Sequence, residues 1–96
     1  MEGRRRSKLK EQIAGNPKTV RPEDLERLLV VYGFDAHRPH GGSSHTTYRY
    51  SGVAGVLRIT VPRRTPFLLR EYVEDALLLI ERIELAEKSQ EAGRAG

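Results

Sequence analysis

The chain has 96 residues, of which 38% are hydrophobic and 31% charged, with a formal net charge of +4 and an isoelectric point near 9.8. It contains no cysteine, which excludes disulfides and thiolate metal sites, and its longest apolar run, Ala76 to Ile80, is far too short to span a bilayer. With no apolar signal segment at the N-terminus, this composition predicts a single small cytoplasmic domain whose basic charge suits an anionic partner.

Residues 1–18 are polar and basic, carrying Arg4, Arg5, Arg6, Lys8 and Lys10. Leu9 and Ile13 are spaced for one weak helical turn, which Gly15-Asn16-Pro17 ends. This segment reads as a basic arm, flexible or a frayed helix. The first strong element is a helix from Pro22 to about Tyr32. Proline suits its first turn, and Glu23 and Asp24 complement the positive end of the helix dipole. Leu25, Leu28, Leu29 and Tyr32 form one buried stripe, and Gly33 closes the helix as a left-handed cap.

Three strands are expected next: Phe34 to Arg38, His45 to Ser51 and Val56 to Pro62. Pro39 to Ser44 and Gly52 to Gly55 form the turns between them. Period-2 alternation turns Leu57, Ile59 and Val61 toward the core, and on the middle strand Tyr48 and Tyr50. His45, Thr47 and Arg49 then face outward beside Arg58 and Thr60. Thr65-Pro66 has the form of a helix start, with Thr as N-cap and Pro in the first helical position. That helix is expected to run to about Ala86, burying Leu69, Tyr72, Val73, Ala76, Ile80 and Ile83. Leu77, Leu78, Leu79 and Leu85 widen its apolar surface enough to suit oligomerisation through this helix. Residues 87–96 read as a disordered tail, which leaves residues 19–86 as the folded domain. The fold class is therefore α+β, with the order α-β-β-β-α, a three-stranded antiparallel sheet and both helices on one face.

The most informative stretch for function is Gly41-Gly42-Ser43-Ser44-His45. Glycine lets backbone amides approach a ligand closely, hydroxyls suit a phosphate oxygen, and histidine exchanges protons near neutral pH. Arg38, Arg49, Arg58, Arg63 and Arg64 accompany it, and Asp35 is the only acid between Phe34 and Arg70. By residue type alone, His45 reads as a solvated strand-end histidine, and Gly41-Gly42 as ordinary turn chemistry. His37 falls outward on an edge strand and His40 lies in the turn. Their spacing with His45 matches no metal site, so no metal and no cofactor are expected.

The run Asn16-Pro17-Lys18-Thr19-Val20-Arg21-Pro22-Glu23-Asp24-Leu25, then Tyr32-Gly33-Phe34, Gly42-Ser43-Ser44-His45 and Ile59-Thr60-Val61-Pro62, resembles the HicA (YcfA-like) mRNA interferase toxins of HicAB toxin-antitoxin systems. That resemblance implies a double-stranded-RNA-binding-domain-like fold and a metal-independent endoribonuclease that cleaves single-stranded mRNA. It also implies a HicB-type antitoxin protein as partner, and His45 as the catalytic acid or base. Gly42, Ser43, Ser44, Thr47, Arg49, Arg58, Arg63 and Arg64 are then the candidates for binding RNA and its phosphates. The chain departs from the family pattern by an extra serine before the histidine and by Thr46 after it. Two other functions fit the same residues: a non-catalytic RNA-binding module of this fold, and an interaction protein acting through its last helix.

Overall fold

The computed structural model describes residues 2–39 and 44–95. Its elements are α1 (Glu2–Gly15), α2 (Pro22–Val31), β1 (Asp35–His37), β2 (His45–Gly52), β3 (Gly55–Pro62) and α3 (Arg70–Ala95). The three strands form one antiparallel sheet in the order β1-β2-β3. The fold is α+β, as expected, with one additional helix at its start.

α2 follows its sequence signals closely. Leu25, Leu28, Leu29 and Tyr32 are buried in one stripe. After Tyr32 the chain turns at Gly33, where φ is 103°. The Gly33 N–H donates to the Val30 carbonyl at 3.0 Å and the Phe34 N–H to the Leu29 carbonyl at 3.0 Å. This paired closure needs a left-handed residue, which glycine adopts without a Cβ penalty.

Burial along the sheet alternates as the sequence predicts. Thr46, Tyr48 and Tyr50 on β2 and Leu57 and Val61 on β3 are buried, while His45, Arg49, Val56, Arg58 and Thr60 are exposed. The inward residues join Phe34, the α2 stripe and Val73, Ala76, Ile80 and Ile83 of α3 in one core. The Phe34 and Tyr50 rings meet at 5.4 Å in a tilted arrangement. One face of the sheet is thus covered by helices and the other is open.

Three expectations are corrected. Residues 2–15, read as a frayed arm, form a helix that docks on α2 and α3. Ile13 enters the core, Lys10 pairs with Glu84 at 2.6 Å, and Arg6 pairs with Glu87 at 2.7 Å. The Arg6 guanidinium also lies 4.2 Å from the centre of the Tyr32 ring, a favourable cation–π placement. Residues 87–95, read as disordered, continue α3, which α1 braces through Glu84 and Glu87. Thr65-Pro66 does not start the last helix. That peptide is cis, and the segment is held elsewhere: the Leu68 N–H donates to the Val20 carbonyl at 2.8 Å and the Leu68 side chain is buried. The helix begins only at Arg70, with the Leu69 carbonyl accepting from Tyr72 and Val73.

Candidate nucleic-acid interface

The open face of the sheet is organised in rows by strand register. His37 lies opposite Thr47, and Thr47 opposite Thr60, with the two threonine hydroxyls 3.0 Å apart. In the next row Asp35 lies opposite Arg49, and Arg49 directly opposite Arg58. His45 opens β2 across from Pro62. His37 and His45 are therefore diagonal neighbours on adjacent strands, a relation that places backbones about 7–8 Å apart and within reach of long side chains. Both histidines are exposed.

Arg49 and Arg58 form a like-charged cross-strand pair, a locally unfavourable arrangement in the absence of a counter-charge. Among the described residues neither takes part in an ion pair, Asp35 included. An anion seated between them would relieve that repulsion. Arg49 lies four residue steps beyond His45, about 13 Å along the strand at 3.3 Å per residue. The arginine pair thus stands further along β2 than His45, and Thr47 and Thr60 occupy the interval. A strand of nucleic acid running along β2 would meet imidazole first, then hydroxyls, then guanidinium groups.

The remaining candidates are more scattered. Ser44 is exposed where β2 begins, and its carbonyl accepts from the Arg63 N–H. Arg63 and Arg64 are exposed just beyond β3, at the His45 end of the sheet. Gly42 and Ser43, with His40 and Gly41, lie outside the described residues. Among the described residues no three His, Asp or Glu side chains gather as a metal centre requires. Arg38 is already neutralised by Glu26 of α2.

That last pair belongs to a cluster the sequence reading missed. Glu26 accepts from Arg38 and, at 2.9 Å, from the Tyr48 hydroxyl, on the helix-covered side of the sheet. With Thr46, Arg63 and Leu68 these groups line a cavity of about 200 Å3. The Arg38 hydrogen bond holds the Glu26 carboxyl below its ordinary value despite partial burial, and the Tyr48 hydroxyl adds to the effect. Burial, and then the nearby Glu26 carboxylate, push the Tyr48 phenol well up. The only advance signal was the inward position of Tyr48, since Glu26 and Arg38 meet through tertiary packing.

On the helical side, burial and the Glu84 carboxylate push Tyr32 up to about 12. Burial alone would raise Glu84, but Lys10 and the Tyr32 hydroxyl, which donates to it at 2.9 Å, hold it below its ordinary value. These groups fasten α1 to the body of the protein and are remote from the open face.

No family model matches the chain, and neither the curated proteins nor the solved structures show a significant similarity to it. Among the described residues no helix is long and apolar enough to cross a membrane.

Proposed function

We propose that this protein binds single-stranded RNA across the open face of its sheet and cleaves it without a metal, as the toxin of a cytoplasmic toxin-antitoxin pair of the HicA type. The observation that supports this reading most directly is the diagonal His37–His45 pair. It shares a face, and a line along β2, with the opposed Arg49–Arg58 pair.

Metal-free cleavage of RNA proceeds by attack of a ribose 2′-oxygen on the adjacent phosphorus. A base removes the 2′-hydroxyl proton, and an acid protonates the departing 5′-oxygen. The products are a 2′,3′-cyclic phosphate and a free 5′-hydroxyl, and the proton count balances. His45 serves as one of these two groups. His37, one strand away on the same face, is placed to serve as the other, so water need not supply the second proton. The bonded Thr47–Thr60 hydroxyl pair keeps one O–H to donate to the reacting phosphate, and Arg49 and Arg58 bind the next phosphates and align the strand. A partner antitoxin would inhibit by covering this face, and its acidic surface would oppose the arginines.

The test is incubation of the purified chain with labelled single-stranded RNA in excess EDTA, in parallel with His45→Ala, His37→Ala and Arg49→Ala. Cleavage that leaves a cyclic phosphate, and that is lost in His45→Ala while RNA binding persists, supports the reading. Binding by all variants with no cleavage by the wild type leaves a non-catalytic RNA-binding module. Failure to bind RNA even at low salt removes both.

A further inference from the structure

β3 is the last strand of the sheet, and among the described residues no strand pairs with its outer edge. The Arg63 N–H to Ser44 carbonyl bond fixes which of its residues face that edge. Hydrogen-bonded and non-bonded pairs alternate along an antiparallel ladder, so Val61–Thr46, Ile59–Tyr48, Leu57–Tyr50 and Gly55–Gly52 are the bonded pairs. The two-residue Val53-Ala54 turn requires the same phase, because such turns close on a bonded pair. The backbone groups of Val56, Arg58 and Thr60 therefore point away from β2. Pro62 has the same parity and no N–H to offer, an acceptable residue only on an open edge. Among the described residues, no backbone hydrogen bond outside the ladder reaches residues 55–62.

Such an edge is a template for a further strand unless something opposes pairing. Here the opposition is selective by charge. Arg58 is exposed at the centre of the open stretch, Arg63 and Arg64 follow it, and no acidic residue occurs from Ala36 to Arg70. A second copy pairing about a two-fold axis would bring Arg58 toward its own counterpart, which like-charge repulsion disfavours. An acidic strand meets the opposite condition. Val56, 80% exposed beside Arg58, gives such a strand one apolar contact on the same face.

We propose that the β3 edge is a docking site for a short, extended, acidic segment of a partner protein, which adds as a fourth strand along residues 56–60. The open backbone groups suit a segment of about five residues. Its acidic side chains, at alternate positions, lie on the open face beside Arg58 with their aliphatic stems against Val56, and the intervening apolar residues turn to the other face. The site is independent of any cleavage at His45, and it lies next to the Arg49–Arg58 pair, so an occupant also covers part of the candidate RNA track.

The experiment is residue-resolved amide hydrogen exchange on the full chain, with a synthetic seven-residue peptide alternating glutamate and valine. Comparison probes are the same peptide with lysine for glutamate, and a short oligouridylate RNA. The glutamate peptide slows exchange at Val56, Arg58 and Thr60 by about tenfold or more, without a matching change at Leu57 and Ile59. The lysine peptide gives no protection. Arg58→Glu weakens binding of the glutamate peptide by about tenfold, and Val56→Pro, which removes one edge donor, weakens it without abolishing RNA binding. Absence of edge protection at about 1 mM peptide overturns the proposal. So does equal protection by both peptides, or the same alternating protection from the RNA.

Discussion

Ile13→Ala separates a docked α1 from a mobile basic arm. On the arm reading, truncation of a residue in the first eighteen leaves stability unchanged. In the structure Ile13 is 6% exposed and shares one buried cluster with Val20, Leu25 and Leu28. The substitution removes three carbon groups at about 0.8 kcal/mol each, or ~2.4 kcal/mol of transfer free energy. A cavity of about 240 Å3 lined by Leu9, Ile13, Asn16 and Val20 already opens beside it. Water and neighbouring side chains can enter the vacated space, so the added cavity penalty is small. The expected loss is about 2–3 kcal/mol, near the lower end for an isoleucine truncated in a core. For a domain of this size that lowers Tm by roughly 10–20 °C. Equilibrium urea unfolding followed by circular dichroism measures it, with Val56→Ala as a surface control expected within about 0.5 kcal/mol of wild type. An Ile13→Ala loss no larger than the control's refutes the docking of α1.

Stability should decline at both ends of the pH scale. Glu26 and Glu84 are held below 4.5 in the fold, so their contribution is complete above that value and lost as pH falls through their folded values. Tyr32 is raised from 10.0 to about 12, so its contribution is complete below pH 10 and lost as pH rises toward 12. Urea midpoints that stay level across both ranges contradict the Lys10–Glu84–Tyr32 and Glu26–Arg38–Tyr48 clusters. On the open face, replacing Arg49 and Arg58 together by alanine should reduce the slope of log affinity for single-stranded RNA against log salt by about 1.4, at about 0.7 per phosphate. An unchanged slope removes the arginine pair from the interface. Gly52→Ala should destabilise by about 1–3 kcal/mol, because the new Cβ meets the Tyr50 hydroxyl oxygen at 2.6 Å. Adding Tyr50→Phe removes the hydroxyl but leaves the ring Cζ at 2.8 Å from the new Cβ. It should therefore recover only part of that loss in a double-mutant cycle, and purely additive effects would show that the hydroxyl is not the obstacle.

How much was legible depended on whether a signal was local. The α2 stripe, the Gly33 cap, the β2–β3 hairpin and the inward Tyr48 and Tyr50 all follow from periodicity and turn chemistry. The outward set of His45, Thr47, Arg49, Arg58 and Thr60 followed from the same alternation. The arrangement within that set did not. Spacing along one strand is set by the chain itself, but which residues of neighbouring strands stand side by side is fixed only by register. Register sets Arg58 directly beside Arg49 and brings His37 diagonal to His45. Arg38 was counted among the available basic residues, and packing of α2 on the sheet gave it Glu26 as a partner.

α1 and the end of α3 were misread for a related reason. Each is polar, and neither carries an apolar stripe sufficient to fold alone. α1 is held on α3 through Arg6–Glu87 and Lys10–Glu84, across more than seventy residues of sequence. Isolated helices of such composition are marginal in water, and tertiary contacts supply the missing free energy.

By itself, then, the chain of residues determined the α2 helix and the three strands, which side of each strand is apolar, and that a basic, histidine-bearing face would be left open. Those properties arise between residues a few positions apart, where backbone geometry sets the spacing. Tertiary structure alone decided which charges neutralise one another, which histidine stands near His45, where the two polar ends become helical, and which strand edge is left unpaired. Each of these is a distance between residues remote in sequence, and closing the chain around one small core is what sets it.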